Sequence, residues 1–137
     1  MKTTGLFGRK SMALQVRETE LAPPRFDEAV VKVRACGVCG TDLNLLKQWE
    51  GEAMPLGHEI AGEVVEVGEG VTGVKPGDSV VVEDCTLCGV CPQCKNGRPD
   101  LCRNLFGLDG QSGMGQSLRV RQNSLGKYAG LDAVTAC

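Results

Sequence analysis

GHEIAGEVVEVGEGVTGVKPGDSVVVE, residues 57–83, reads as a strand, a turn and a second strand. Its valines suit a pleated surface. Its glycines at 57, 62, 68, 70, 73 and 77 permit the tight or left-handed backbone that a small closed barrel needs at its corners. Pro76 and Gly77 mark a turn before a strand over residues 79–83. A chain organised around this segment is expected to be mainly β.

Upstream, residues 12–34 read as two strands joined by a turn: MALQVRE, then APPRFDE, whose prolines stop pairing, then EAVVKVR. In the last of these Ala29, Val31 and Val33 share one face while Lys32 and Arg34 lie on the other. CGVCGTD at 36–42 leads into a short helical pattern, TDLNLLKQ, with Thr41 as the expected N-cap and Leu43 and Leu46 on one side. Downstream, the glycine-rich run GLDGQSGMG at 107–115 precedes a weak strand, QSLRVRQ, and a short tail. No internal repeat, low-complexity tract or linker interrupts the chain, so one domain over 1–137 is expected, with a cysteine-rich lobe at about 85–103.

Composition agrees with a β-rich, tightly turning fold: 19 glycines stand against one Trp, one Tyr and three Phe. A length of 137 residues suffices to bury a core. The formal charge of −2 offers no basic surface to nucleic acid or to anionic lipid, so neither a nucleic-acid nor a membrane partner is expected. No run approaches the ~18 apolar residues of a membrane span. The N-terminal MKTTGLFGRK lacks the apolar stretch of a signal peptide, which points to a reducing, cytoplasmic setting.

That setting bears on the eight cysteines, five of which fall between Cys85 and Cys102. Cys88, Cys91, Cys94 and Cys102 follow a C-x2-C-x2-C-x7-C spacing. Two-residue gaps let successive thiolates turn toward one point, and the longer loop returns the fourth, which is how local sequence builds a closed tetrahedral zinc site. Cys85 with Cys88, Cys91 and Cys94 would also offer four thiolates. The later set is preferred because it closes a loop and leaves Cys102 unstranded. Residues 85–102 carry little apolar content, so metal binding is expected to hold them. With no open coordination position, this zinc is structural.

His58 is the only histidine. It stands in PLGHEIAG, a short distance after Cys39, and a thiolate plus an imidazole are two of the three protein ligands a catalytic zinc normally uses. Asp42 or Glu59 could orient the imidazole from behind.

CGVCGTD, GHEIAGEVVEVGEGVTGVKPGDSV and CGVCPQCKNGRPDLC, in that order, resemble the zinc-containing medium-chain alcohol, sorbitol and threonine dehydrogenases. The resemblance spans residues 29–110. It implies a GroES-like, partly open β-barrel with a structural zinc lobe and short helices. It implies Cys39 and His58, with Glu59 as a further acidic neighbour able to coordinate, at a catalytic zinc, and Cys88, Cys91, Cys94 and Cys102 at a structural one. Cys36 and Cys85 are then not ligands. It further implies that Thr41 accepts the proton of an alcohol or polyol substrate, and that Asp42 hydrogen-bonds the histidine. The mechanism the resemblance implies is hydride transfer, with zinc lowering the pKa of the bound alcohol and NAD or NADP receiving the hydride. Lys47 and Trp49 fall in a segment that often lines the substrate cleft.

Two departures stand out. Asn44 occupies a position where many relatives carry a relay histidine, and it cannot titrate. No G-x-G-x-x-G follows a strand, so the nucleotide-binding domain and the third catalytic ligand are expected outside this chain, with Cys137 a poor match for that ligand. The resemblance implies a homodimer or homotetramer at full length. The competing reading is a zinc-binding interaction module without catalysis, which would have no need of Cys39, Thr41, Asp42, His58 and Glu59 together.

Overall fold

The computed structural model describes residues 1–137 as two antiparallel sheets with three short helices. β1 (Lys2–Arg9) and β2 (Ala13–Glu20) form a hairpin, and β4 (Met54–Pro55) pairs with the other side of β1. The second sheet runs in the order β7 (Ser117–Arg121), β3 (Glu28–Gly37), β5 (Glu59–Val67), β6 (Ser79–Val82), β8 (Leu125–Lys127). A Gly5–Gly115 bridge and reciprocal hydrogen bonds between Thr3 and Ser117 join the sheets. Neither sheet closes on itself, so the barrel is partly open and not the closed one that the glycine pattern suggested.

Residues 57–83 adopt the expected strand–turn–strand, with Gly77 at φ 91° and its amide donating to Val64 O. The two strands read over 12–34 exist but do not pair with each other. β2 goes to the first sheet and β3 to the second, because Pro23 and Pro24 carry the chain between them. β3 is bulged at Val30/Val31 and Val33/Ala35. It places Ala29, Val30 and Val31 all in the interior. The strand after the glycine-rich run is a full partner: Leu118 and Val120 on β7 join Val31, Ile60, Val64, Val80 and Val82 in one apolar cluster. Each such side chain taken out of water contributes about 1.5–3 kcal/mol.

α1 (Gly40–Gln48) starts two residues earlier than expected: Cys39, not Thr41, is its N-cap. Asp42 at N3 accepts a hydrogen bond from the Cys39 amide at 3.0 Å, satisfying a backbone donor that the helix start leaves free. Leu46 is buried as expected, but Leu43 is exposed, and Asp42 fills the interior on that side. No helix is long and apolar enough to cross a membrane.

Candidate metal centres

The cysteine lobe hangs from the second sheet through a Thr86–Phe106 bridge, a Thr86–Ser124 hydroxyl contact and a hydrogen bond from Asn123 to Leu87 O. Within it, Gly89 at φ 70° bends the chain between Cys88 and Cys91. Cys91 then caps α2 (Pro92–Lys95), with Pro92 at the first helical position, where its missing N–H costs nothing. The helix ends on Gly97 at φ 71°, with Arg98 N donating to Gln93 O and Gly97 N to Cys94 O. This left-handed stop satisfies the last carbonyls and turns the chain back. A single 3₁₀ turn, Pro99–Leu101, then delivers Cys102.

These turns bring the four sulfurs of Cys88, Cys91, Cys94 and Cys102 within 4.8 Å of one another. Cys91 and Cys94 sulfurs are 3.5 Å apart, and those of Cys88 and Cys102 3.6 Å. Tetrahedral zinc with bonds of about 2.3 Å places its sulfurs about 3.8 Å apart, so the set fits the ion. Backbone amides are aimed at the sulfurs. Those of Arg103 and Cys94 push the Cys91 thiol down to about 6, and that of Cys88 lowers Cys102. Burial, and sharing a proton with Cys91, push Cys94 up to about 12. Four thiols this close cannot all ionise unless a cation joins them. Cys85 is exposed and lies outside the set.

The second cluster draws on two distant segments. Cys39 comes from the start of α1, and His58 and Glu59 from the entry to β5, and their donor atoms also lie within 4.8 Å of one another. Asp42 ties the two segments together. Its Oδ2 accepts from Cys39 N, and its Oδ1 accepts from Gly57 N at 2.9 Å. Its nearest approach to His58 is 3.8 Å from Nδ1, too long for the hydrogen bond the resemblance implied. Asp42 therefore works through the backbones beside the donors, a role that side-chain spacing alone did not show.

Behind Gly57, the glycine-rich run 107–115 serves as a wall. Gly113 N donates to Gly57 O, Met114 N to Leu56 O, and Ser112 Oγ to Leu56 O. A Cβ on Gly57, itself at φ 85°, would strike Met114 and the Cys36 sulfur. The run that lacks a nucleotide fingerprint thus shapes the turn that presents His58.

Electrostatics favour ionising Cys39. The Thr41 amide and hydroxyl, the latter 3.6 Å from the sulfur, lower its pKa, and His58 adds to this. For His58, burial opposes charging, but Cys39 and the carboxylates of Asp42 and Asp84 outweigh it and raise the pKa. Protons therefore compete with a metal for this imidazole. Cys36 is pushed up to about 11 by burial and by Asp42, which keeps it a protonated thiol outside the cluster. Asn44 is exposed, Trp49 donates its indole N–H to Glu52 O, and Cys137 turns its sulfur to Val134 O, outside both clusters.

A partly open β-scaffold thus carries two separate clusters whose donor atoms could each hold a metal ion, one closed with four sulfurs and one open with a thiol, an imidazole and a carboxylate. Residues 25–130 match the alcohol dehydrogenase GroES-like domain, and the chain belongs to that family. It is similar to the S-(hydroxymethyl)glutathione dehydrogenase of Escherichia coli, with 47% identity over 92 residues, 65% of this chain and 25% of that protein. It is also similar to the L-threonine 3-dehydrogenase of Pyrococcus furiosus, with 39% identity over 118 residues, 80% of this chain and 32% of that one. A candidate zinc-binding dehydrogenase from Sinorhizobium meliloti, solved bound to NADP, superposes with a TM-score of 0.79 and 33% identity, over 97% of this chain and 40% of that one. The chain thus spans 25–32% of the length of the curated relatives it matches here.

Proposed function

We propose that this chain is the metal-bearing catalytic portion of a zinc-dependent dehydrogenase that oxidises a primary or secondary alcohol, polyols included, with hydride transfer to NAD or NADP. The observation that carries this reading is the convergence of Cys39, His58 and Glu59 in an open cluster beside, and separate from, the four-cysteine lobe. Cys88, Cys91, Cys94 and Cys102 would hold a structural zinc, and Cys39, His58 and Glu59 a catalytic one. When bound at the open cluster, zinc supplies Lewis acidity toward a substrate oxygen.

The remaining work falls to this chain's own groups. Asp42 holds the Cys39 and Gly57 amides and so keeps the two donor segments in register. In this reading the Thr41 hydroxyl takes the alcohol proton, a role supported by its exposure and by its lying 3.6 Å from the Cys39 sulfur. Because Asn44 cannot accept that proton, it leaves through water or the nucleotide ribose. The nucleotide is bound by a dinucleotide-binding domain outside these 137 residues, a reading supported by the greater length of the relatives. The whole protein works in the cytoplasm as a homodimer or homotetramer. An interaction module without catalysis would keep the lobe but would not need the open cluster.

The test is turnover by the zinc-replete full-length protein on a panel of primary alcohols, secondary alcohols and polyols with NAD and with NADP. Reduction of the nicotinamide that His58→Ala abolishes is expected. Absence of turnover across the panel, or turnover unchanged in His58→Ala, contradicts the proposal.

A further inference from the structure

Glu59 is exposed and no salt bridge engages it, yet its carboxylate lies within reach of Cys39 and His58. Its position is explained by what lies beneath it. Gly37, the last residue of β3, is the cross-strand partner of Glu59, the first residue of β5. A Cβ built on Gly37 would overlap Glu59 Oε2 and stand 3.1 Å from Glu59 Cβ and 3.4 Å from Cδ. The carboxylate therefore folds back over the bare backbone of Gly37, two residues before Cys39. Gly37 is outside the left-handed region of backbone space, so no conformational demand accounts for a glycine here. The space it leaves is occupied by the Glu59 side chain.

We propose that Gly37 is a positioning residue: its missing side chain is the cradle that lets the Glu59 carboxylate reach the donor set of Cys39 and His58. The proposal rests on the reading of that cluster as a metal site. Alanine at 37 is compatible with the backbone and meets mainly the far end of a flexible side chain, so the strand pair tolerates it. What moves is the carboxylate. The cross-strand register makes the effect specific, since no other residue stands opposite Glu59 in the β3–β5 pair.

The test is cobalt(II) binding to the zinc-lobe-loaded chain, read by the ligand-field absorption of the second ion, in wild type, Gly37→Ala, Glu59→Gln and the double variant. Outer groups that position a ligand typically change metal affinity by about 10–100-fold. Gly37→Ala is expected to weaken the second ion by about tenfold, in the same direction as Glu59→Gln, with an unchanged melting curve. The double variant should bind no more weakly than Glu59→Gln alone, because the cradle has nothing left to hold. Wild-type affinity in Gly37→Ala overturns the inference, as does a Gly37→Ala loss that persists in full on the Glu59→Gln background. If wild type itself binds no second ion, the reading of the cluster fails first and the inference falls with it.

Discussion

In the five-stranded sheet Val31, Val64, Val80 and Leu118 are completely buried, whereas between residues 85 and 102 only Thr86 and Cys91 are buried, and neither of them completely. Val90, Leu101 and Leu105 in and beside the lobe stand in solvent. The sheet is held by apolar packing from four strands that meet across long sequence distances. The lobe is held by short-range turns whose common purpose is to aim four sulfurs at one point. The open cluster borrows from the first region: its donors sit on the ends of a helix and a strand that the sheet already fixes. Two cysteine-containing clusters in one small chain can therefore have opposite relations to stability. One would lend its binding energy to folding, and the other would be supported by a fold that exists without it.

The sharpest way to break this contrast is Cys94→Ser. Structural zinc contributes on the order of 10 kcal/mol or more to small zinc-held folds. Loss of one donor should release the lobe's zinc and remove hydrogen-exchange protection across residues 86–103, while the amides of β3, β5 and β6 stay protected. Unchanged zinc content and unchanged exchange would mean that the lobe does not depend on its sulfurs. A smaller effect in the opposite region is expected from Ile60→Ala, whose side chain lies in the middle of the apolar cluster. Truncating a core residue of this size costs about 2–5 kcal/mol. The melting temperature should fall while the lobe keeps its zinc below the transition. Release of that zinc while the sheet is still folded would show that the two regions are not separately held.

Much of this division was legible in residue order. The C-x2-C-x2-C-x7-C spacing is local, so the geometry of a few turns decides it, and residues 57–83 carry their strands and corner in valine, glycine and proline. β1 was not visible because its inward positions include Thr3 and Gly5, where packing demands smallness and a hydroxyl instead of apolar bulk. Likewise, Thr41 looked like the better helix cap by residue type, but Asp42 at N3 and the burial it finds there set the start at Cys39. Asp42's hold on Gly57, and the wall formed by residues 112–114, join parts of the chain that only tertiary structure brings together. Gly37 opposite Glu59 is a matter of strand register, which alternation alone leaves undetermined by whole two-residue steps.

The smallest expected effect on stability attends the change that matters most for the function. Cys39→Ser and His58→Ala remove donors from a cluster the scaffold already supports, so both variants should melt close to wild type. Zinc content of the purified chain, measured by elemental analysis after exhaustive removal of free metal, is the direct measurement. The account predicts two zinc ions per wild-type chain and one in each of these variants, with the remaining ion lost only when a lobe cysteine is replaced. Two ions retained in both variants, or a single ion in wild type that neither variant removes, would contradict it.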